Sequence, residues 1–235
     1  MCSSDLVVQA RTHDTILFFT TLGRVFKLKV HEIPAGSRIA KGQSIMNVLN
    51  LSPDERVTSL VSVKKDDSAK YLFMATNNGT VKKTALSDFA NIRQNGIVAI
   101  KLDSGDKLSW VKKTGGEDSI IISTAMAQAI RFNEKDARPM GRATRGVRGI
   151  RLRKDDQVVG MDVLSGDEGL MLVIMENGYG KITKSNQFTS HNRGGVGIKA
   201  GVVTSKTGKA VDVRIISSQD DDVLIISKKI GRAHV

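Results

Sequence analysis

The 235-residue chain contains one cysteine, Cys2, which excludes a disulfide framework and fits a reducing compartment. Only three prolines occur, Pro34, Pro53 and Pro139, so long stretches keep every backbone N–H available for pairing. Aromatic residues make up 4%, too few for a surface that stacks successive unpaired bases. The longest aliphatic run, Leu170 to Met175, is far short of the roughly 20 residues a membrane-spanning helix needs. Residues Met1 to Leu6 lack the basic head and apolar stretch of a signal peptide. Amphipathic helical periodicity is absent, and with it any recognition helix for the major groove.

Catalytic constellations are equally scarce. His13, His31 and His191 are scattered, with no Cys or His partner at ligand spacing. Asp220-Asp221-Asp222 lacks the alternating oxygens and turn glycine of a calcium loop and reads as a solvated turn. Gly195-x-Gly197-x-x-Ala200 meets the dinucleotide fingerprint in form, but the β-rich Val202-Val203-Thr204 follows where a helix is required. There is no Gly-Lys-Ser/Thr phosphate loop and no nucleophile elbow. No catalytic, metal-binding or cofactor-binding residue is therefore assigned.

What the chain does have is a repeat. Apolar runs begin at Ile16, Tyr71, Ile120, Leu170 and Val223, steps of 55, 49, 50 and 53 residues. The first four are followed by small-residue turns, Leu22-Gly23, Asn78-Gly79, Met126-Ala127 and Asn177-Gly178, and then by a second strand. Asn-Gly between two β-rich runs predicts a hairpin closed by a type I′ turn. Each unit continues with a glycine three or four residues before an isoleucine: Gly42 and Ile45, Gly96 and Ile100, Gly146 and Ile150, Gly195 and Ile198. Polar turns close it, as in Ser52-Pro53-Asp54-Glu55, Asp103-Ser104-Gly105-Asp106 and Lys154-Asp155-Asp156. A period near 50 with several strands per unit predicts an all-β, propeller-like array of four-stranded blades. The expected units are approximately 7–63, 64–113, 114–163 and 164–215, with a partial fifth at 216–229. A β-sandwich with coincidental spacing is the alternative. Cys2-Ser3-Ser4-Asp5-Leu6 and residues 230–235 read as translated sequencing adaptor, leaving one domain over 7–229 cut from a longer protein.

Charge is the functional lead. Lys and Arg number 36 against 24 Asp and Glu, a net +12 that favours a polyanionic partner. The second strands carry Arg24, Lys27 and Lys29, then Lys82 and Lys83, then Arg131, then Lys181 and Lys184. The loops beyond them carry Arg38 and Lys41, Arg93, Arg138, Arg142, Arg145, Arg148 and Arg151, and Arg193 and Lys199. Between Arg131 and Lys154 stand nine basic residues and two acids, Glu134 and Asp136. Arg151 and Arg153 alternate with Ile150 and Leu152, which predicts a strand that buries the aliphatics and turns both guanidiniums outward. Cations at one phase of a ring of blades form a track suited to the phosphates of a bent duplex, read without regard to sequence.

The residues from His13 to Pro34 closely resemble the first blade of the C-terminal domain of the DNA gyrase A subunit. Lys41-Gly42-Gln43-Ser44-Ile45, Asn77 to Lys83, Gly141 to Leu152 and Glu176 to Lys181 extend the likeness over about residues 7 to 229. The resemblance implies a β-pinwheel with strands exchanged between blades, wrapping double-stranded DNA on its basic rim in support of ATP-dependent negative supercoiling. It further implies a bacterial cytoplasmic, nucleoid-associated protein with no membrane association. The partners would be a second gyrase A subunit together with the gyrase B subunit, engaged through an upstream part that also holds the catalytic tyrosine. ATP and magnesium act in other parts of such an enzyme, and no cofactor is expected here. The family's glycine-rich basic box is not found; His191-Asn192-Arg193-Gly194-Gly195-Val196-Gly197 resembles a degenerate copy of it. The topoisomerase IV paralogue and a protein-interaction propeller are the competing readings.

Overall fold

The first unit supplies β1 (Thr15–Thr20), β2 (Arg24–Lys29) and β3 (Val57–Val63). The second supplies β4 (Tyr71–Thr76), β5 (Thr80–Ala85), the two-residue β6 (Ile97–Val98) and β7 (Leu108–Thr114). The third gives β8 (Ser119–Thr124), β9 (Gln128–Asn133), β10 (Val147–Arg148) and β11 (Val158–Leu164), and the fourth β12 (Leu170–Met175), β13 (Gly180–Lys184), β14 (Ile198–Lys199) and β15 (Ala210–Ile216). This computed structural model describes residues 8–37, 39–166 and 168–216. The expected fifth unit, the end segments 1–6 and 230–235, the Asp220 cluster and Arg38 lie outside those residues.

Four antiparallel sheets form, ordered β3-β1-β2-β6, β10-β5-β4-β7, β11-β8-β9-β14 and β13-β12-β15. In each of the first three sheets the short edge strand comes from the following unit: Arg24 lies opposite Val98, Thr80 opposite Arg148, and Gln128 opposite Lys199. The fold is thus a β-pinwheel, a propeller whose blades exchange their outer strands. At the opposite edge β3 packs on β7, β7 on β11 and β11 on β15, so the long closing strands form the inner arc and the exchanged strands the outer rim.

First strands such as Thr15-Ile16-Leu17-Phe18-Phe19-Thr20 are buried on both faces because the sheets stack on one another. One core joins the first two sheets through Leu17, Phe19, Val25, Leu72, Met74 and Ile100. Phe73, Val81, Ile122, Phe132 and Ile150 join the second to the third, and Ile121, Met171, Val173 and Val213 the third to the fourth. Burying each such side chain contributes about 1.5–3 kcal/mol, so stability resides between blades more than within them.

The hairpin turns differ from expectation. Gly79 N–H bonds the Thr76 carbonyl at 3.1 Å and Gly79 has φ +82°, while Asn78 does not take positive φ. These are three-residue loops with one left-handed residue at the end, not type I′ turns. Gly23, Ala127 and Gly178 repeat the geometry, Ala127 at φ +52°. A threonine before each of the first three turns serves it too: Thr20, Thr76 and Thr124 hydroxyls accept from the N–H of Arg24, Thr80 and Gln128, while Met175 precedes the fourth. The polar closing turns supply a second brace, Asp106 accepting from Asn78 N–H and Asp156 from Met126 N–H.

The glycine that opens each exchanged strand is also relocated in the fourth unit. Gly96, Gly146 and Gly197 are equivalent, each with positive φ and each pressed against a second strand. Gly197, not Gly195, is the counterpart. Around Arg151 and Arg153 the exposure alternates as expected, with Ile150 buried, but the segment is extended chain beyond the end of β10. Gly197→Ala would place Cβ 2.5 Å from the Ala129 carbonyl oxygen, whereas Gly105→Ala, also at positive φ, meets open space. Urea unfolding should show a loss of about 1–3 kcal/mol for the former and about 1 kcal/mol for the latter.

Candidate nucleic-acid interface

Three exchanged loops build the rim. The first, around 90–101, crosses the edge of β2; the second, 138–151, crosses β5; the third, 189–200, crosses β9. They are laced to one another by backbone hydrogen bonds. Lys101 N–H bonds the Thr144 carbonyl at 3.0 Å, Gly194 N–H bonds Gly149 at 2.6 Å, and Arg151 N–H bonds Gly195 at 2.7 Å. A single continuous arc results. On it Arg93, Arg138, Arg145, Arg148, Arg151 and Lys199 are exposed, with Arg142 and Arg193 half-buried. Arg24 and Arg142 line an open groove of about 670 Å³ where the first and second loops meet.

Several of these cations already hold the rim together. The Arg193 guanidinium donates to the carbonyls of Asp136 and Arg148, both at 2.9 Å. Arg24 pairs with buried Glu55 at 2.7 Å, lies 4.7 Å over the Phe26 ring and donates to the Asn95 carbonyl. Arg145 pairs with Asp103 at 3.0 Å, both largely exposed, an attachment worth at most about 1 kcal/mol and readily exchanged for a phosphate.

Three expected rim residues are corrected. Lys82, Lys83 and Arg131 are buried, and the reason lies in register. Lys27, Lys83 and Arg131 occupy one position of the second strand, facing the next blade. Lys27 Nζ donates to the Ala90 carbonyl at 2.7 Å, Lys83 Nζ to Glu134 at 3.0 Å, and the Arg131 guanidinium to Ser185 at 3.5 Å. Each accepting carbonyl belongs to the 3-10 turn, or its cap, in the following unit. These side chains staple neighbouring blades. Lys83 also sits 3.6 Å from the Glu134 carboxylate and 4.9 Å from the Tyr71 ring centre. Glu134, one of the two acids within the basic stretch, is fully buried and accepts from the Thr114 hydroxyl and the N–H groups of Gly116 and Asp118. Lys82, at the preceding position, faces the other way and donates to carbonyls in two rim loops.

Lys29, Lys41, Lys181 and Lys184 are exposed but stand outside the three laced loops. Lys101 is a rim cation that the sequence reading missed. It follows Ile100 as Arg151 follows Ile150, and that shared offset was the available signal. Among the described residues, no group of three His, Cys, Asp or Glu side chains could hold a metal ion, and no helix is long and apolar enough to cross a membrane.

Exchanged outer strands, an inner arc of closing strands and a laced cationic rim define the class: a strand-exchanged β-propeller with a basic edge. Comparison with known proteins makes the class particular. The family model described as "DNA gyrase C-terminal domain, beta-propeller" matches residues 14–64, 70–114, 118–165 and 172–217, and the chain belongs to that family. The DNA gyrase A subunit of Staphylococcus epidermidis is 42% identical over 93% of the chain, and that of Staphylococcus aureus 43% identical over the same share. In both cases the chain spans 25% of the relative's length. A solved gyrase A C-terminal domain superposes with TM-score 0.74 at 26% identity, covering 88% of this chain and 67% of that one. A topoisomerase IV C-terminal domain gives 0.77 at 24% identity, covering 88% and 64%, which supports the shared fold alone.

Glu134→Ala leaves the Lys83 ammonium buried without its carboxylate and strips three donors of their acceptor. It should lower stability by about 3–5 kcal/mol in urea unfolding, whereas Lys27→Met, at an exposed staple, should change it by less than about 1 kcal/mol.

Proposed function

We propose that this domain binds duplex DNA without regard to sequence and bends it along the arc of exchanged loops. The carrying observation is the lacing of those loops, which converts arginines from separate repeats into one row of positive charge. Phosphate contacts along such a row supply affinity but no base reading, and the outward side chains come from the exchanged loops, with no α-helix among the described residues to enter a groove. Bending 20–30 base pairs by 40–90° costs on the order of 1–6 kcal/mol, which several charge-assisted contacts offset. Membership of the gyrase family and 42–43% identity to gyrase A sequences favour the gyrase protein over the topoisomerase IV paralogue.

Within a complete enzyme the wrapped segment would be presented for strand passage, supporting ATP-dependent negative supercoiling. The gyrase B subunit, a second A subunit, and the nucleotide and magnesium chemistry would be engaged outside this domain. A bacterial cytoplasmic, nucleoid-associated setting follows from the same reading.

The test is fluorescence anisotropy of the 235-residue protein on a linear duplex of random sequence. Affinity should fall by about 10³–10⁵ between 50 and 200 mM salt if roughly 6–10 phosphates are neutralised. The combined variant Arg145→Glu, Arg148→Glu, Arg151→Glu should bind far more weakly and lower the salt slope by about one for each phosphate no longer engaged. Binding at 50 mM salt equal to that of the unaltered protein would overturn the reading, and tight capture of a protein partner with little salt dependence would replace it.

A further inference from the structure

Two joints connect the three rim loops, and they are built differently. Between the second and third loops the connector is Arg193, whose guanidinium spans the carbonyls of Asp136 and Arg148. Between the first and second it is Lys82. This lysine is fully buried, and its ammonium donates to the Ala99 carbonyl at 2.7 Å, to the Thr144 carbonyl at 3.3 Å and to the Arg142 carbonyl. Ala99 belongs to the first rim loop, Arg142 and Thr144 to the second. An ammonium has three N–H donors, and all three are directed at rim carbonyls.

Register marks the position as a substitution for a hydrophobe. Phe26 and Ile130 stand at the equivalent point of β2 and β9, and both are buried. Lys181 occupies it in β13 and is exposed, since the described residues place no exchanged strand on that edge. Packing therefore accepts an apolar side chain at this point, and the lysine serves something that packing alone does not require.

We propose that Lys82 is a positioning residue for the basic rim: its protonated ammonium locks the first and second exchanged loops in register, setting Lys101, Arg142 and Arg145 at the spacing a bent duplex needs. The inference rests on the duplex-binding reading above. Loss of one proton leaves an amine with two donors and turns a lone pair toward the third carbonyl, so the joint loosens on deprotonation. Burial is the first cause that pulls the Lys82 pKa down from 10.5 to about 8. Asp88, in the adjoining 3-10 turn, opposes the shift, and Arg142 adds to it; these are the charged groups that face the ammonium. The unfolded chain then holds more protons than the folded one between about pH 8 and 10.5, so this group's contribution to stability rises over that window. Loss of this proton therefore does not by itself destabilise the folded chain.

The experiment compares the full 235-residue protein with Lys82→Met and Arg145→Glu. Duplex affinity is read from about pH 6.5 to 9.5, with urea unfolding and amide hydrogen exchange in parallel. At about pH 7, Lys82→Met should bind about tenfold more weakly, the equivalent of one charge-assisted hydrogen bond. Its urea midpoint should match or exceed that of the unaltered protein, because an apolar side chain replaces a buried charge. The Lys101 amide should exchange at least about tenfold faster, after correction for intrinsic rates, while β4 and β8 stay protected. The unaltered protein should lose affinity through an inflection near pH 8. Lys82→Met should lack that inflection, and Arg145→Glu should retain it at lower affinity. Unchanged affinity and unchanged Lys101 exchange in Lys82→Met would overturn the proposal. So would weaker binding accompanied by a lower urea midpoint, which assigns Lys82 to stability alone. Should Lys82→Met not fold, a pH profile of the unaltered protein without an inflection between about 7 and 9 overturns it equally. If the unaltered protein binds no duplex at all, the functional reading fails, and Lys101 exchange still decides whether Lys82 locks the loops.

Discussion

A β-strand at the end of a sheet exposes a row of unpaired N–H and C=O groups, and each blade leaves such a row on the outer side of its second strand. In the first three sheets a two-residue strand from the next repeat fills it. Two residues contribute few hydrogen bonds, but the loop that delivers them must cross from one blade to its neighbour. The crossing fixes the distance between blades and carries the basic segments to the perimeter. The glycine at each crossing follows from the same constraint: at Gly146 and Gly197 the backbone lies so close to the second strand that a Cβ would stand 2.5 Å from a carbonyl oxygen.

Cations serve this architecture in two ways that composition does not separate. Those on the rim loops face solvent, where charge is cheap to hold and free to meet a phosphate. Lys27, Lys83 and Arg131 on the second strands point between blades, where they complete the carbonyls of the next unit's 3-10 turn or its cap. The buried set is matched by acceptors: Glu134 gathers Lys83, Thr114 and two backbone N–H groups, and Glu55 gathers Arg24 and Thr20. A surplus of +12 is therefore only partly available to a partner. The available part is concentrated on the arc by the lacing of loops that come from different repeats.

Much of the fold was legible because hydrophobic runs near a 50-residue period, glycine turns and closing acids each have one local cause. The runs from Ile16, Tyr71, Ile120 and Leu170 fall in first strands, and the small-residue turns after them are hairpins. The turn type was misread because Asn-Gly is compatible with either loop, and the Thr76 hydroxyl that braces the longer one after β4 comes from the preceding strand. The fourth unit's glycine was set two residues early, at Gly195, since the positive φ and the contact with Ala129 that distinguish Gly197 belong to the folded chain. Among candidate site residues, Arg138, Arg145, Arg148, Arg151 and Lys199 fall on the exposed arc. Lys82, Lys83 and Arg131 were misplaced because a second strand alternates its faces, and both faces of these strands meet another blade.

The repeat, its all-β character and its excess of positive charge are properties of the chain by itself, because each is read from neighbours within a few residues or from a sum. Which cations face water, which staple blades and which join the rim loops was decided by tertiary structure. Lys82 and Lys83 are adjacent in sequence, alike in chemistry and opposite in direction: one reaches back to the first rim loop, the other forward to Glu134. The acceptors of Lys82 lie 17, 60 and 62 residues away and that of Lys83 lies 51 away, and only the stacking of blades brings those carbonyls within reach of an ammonium.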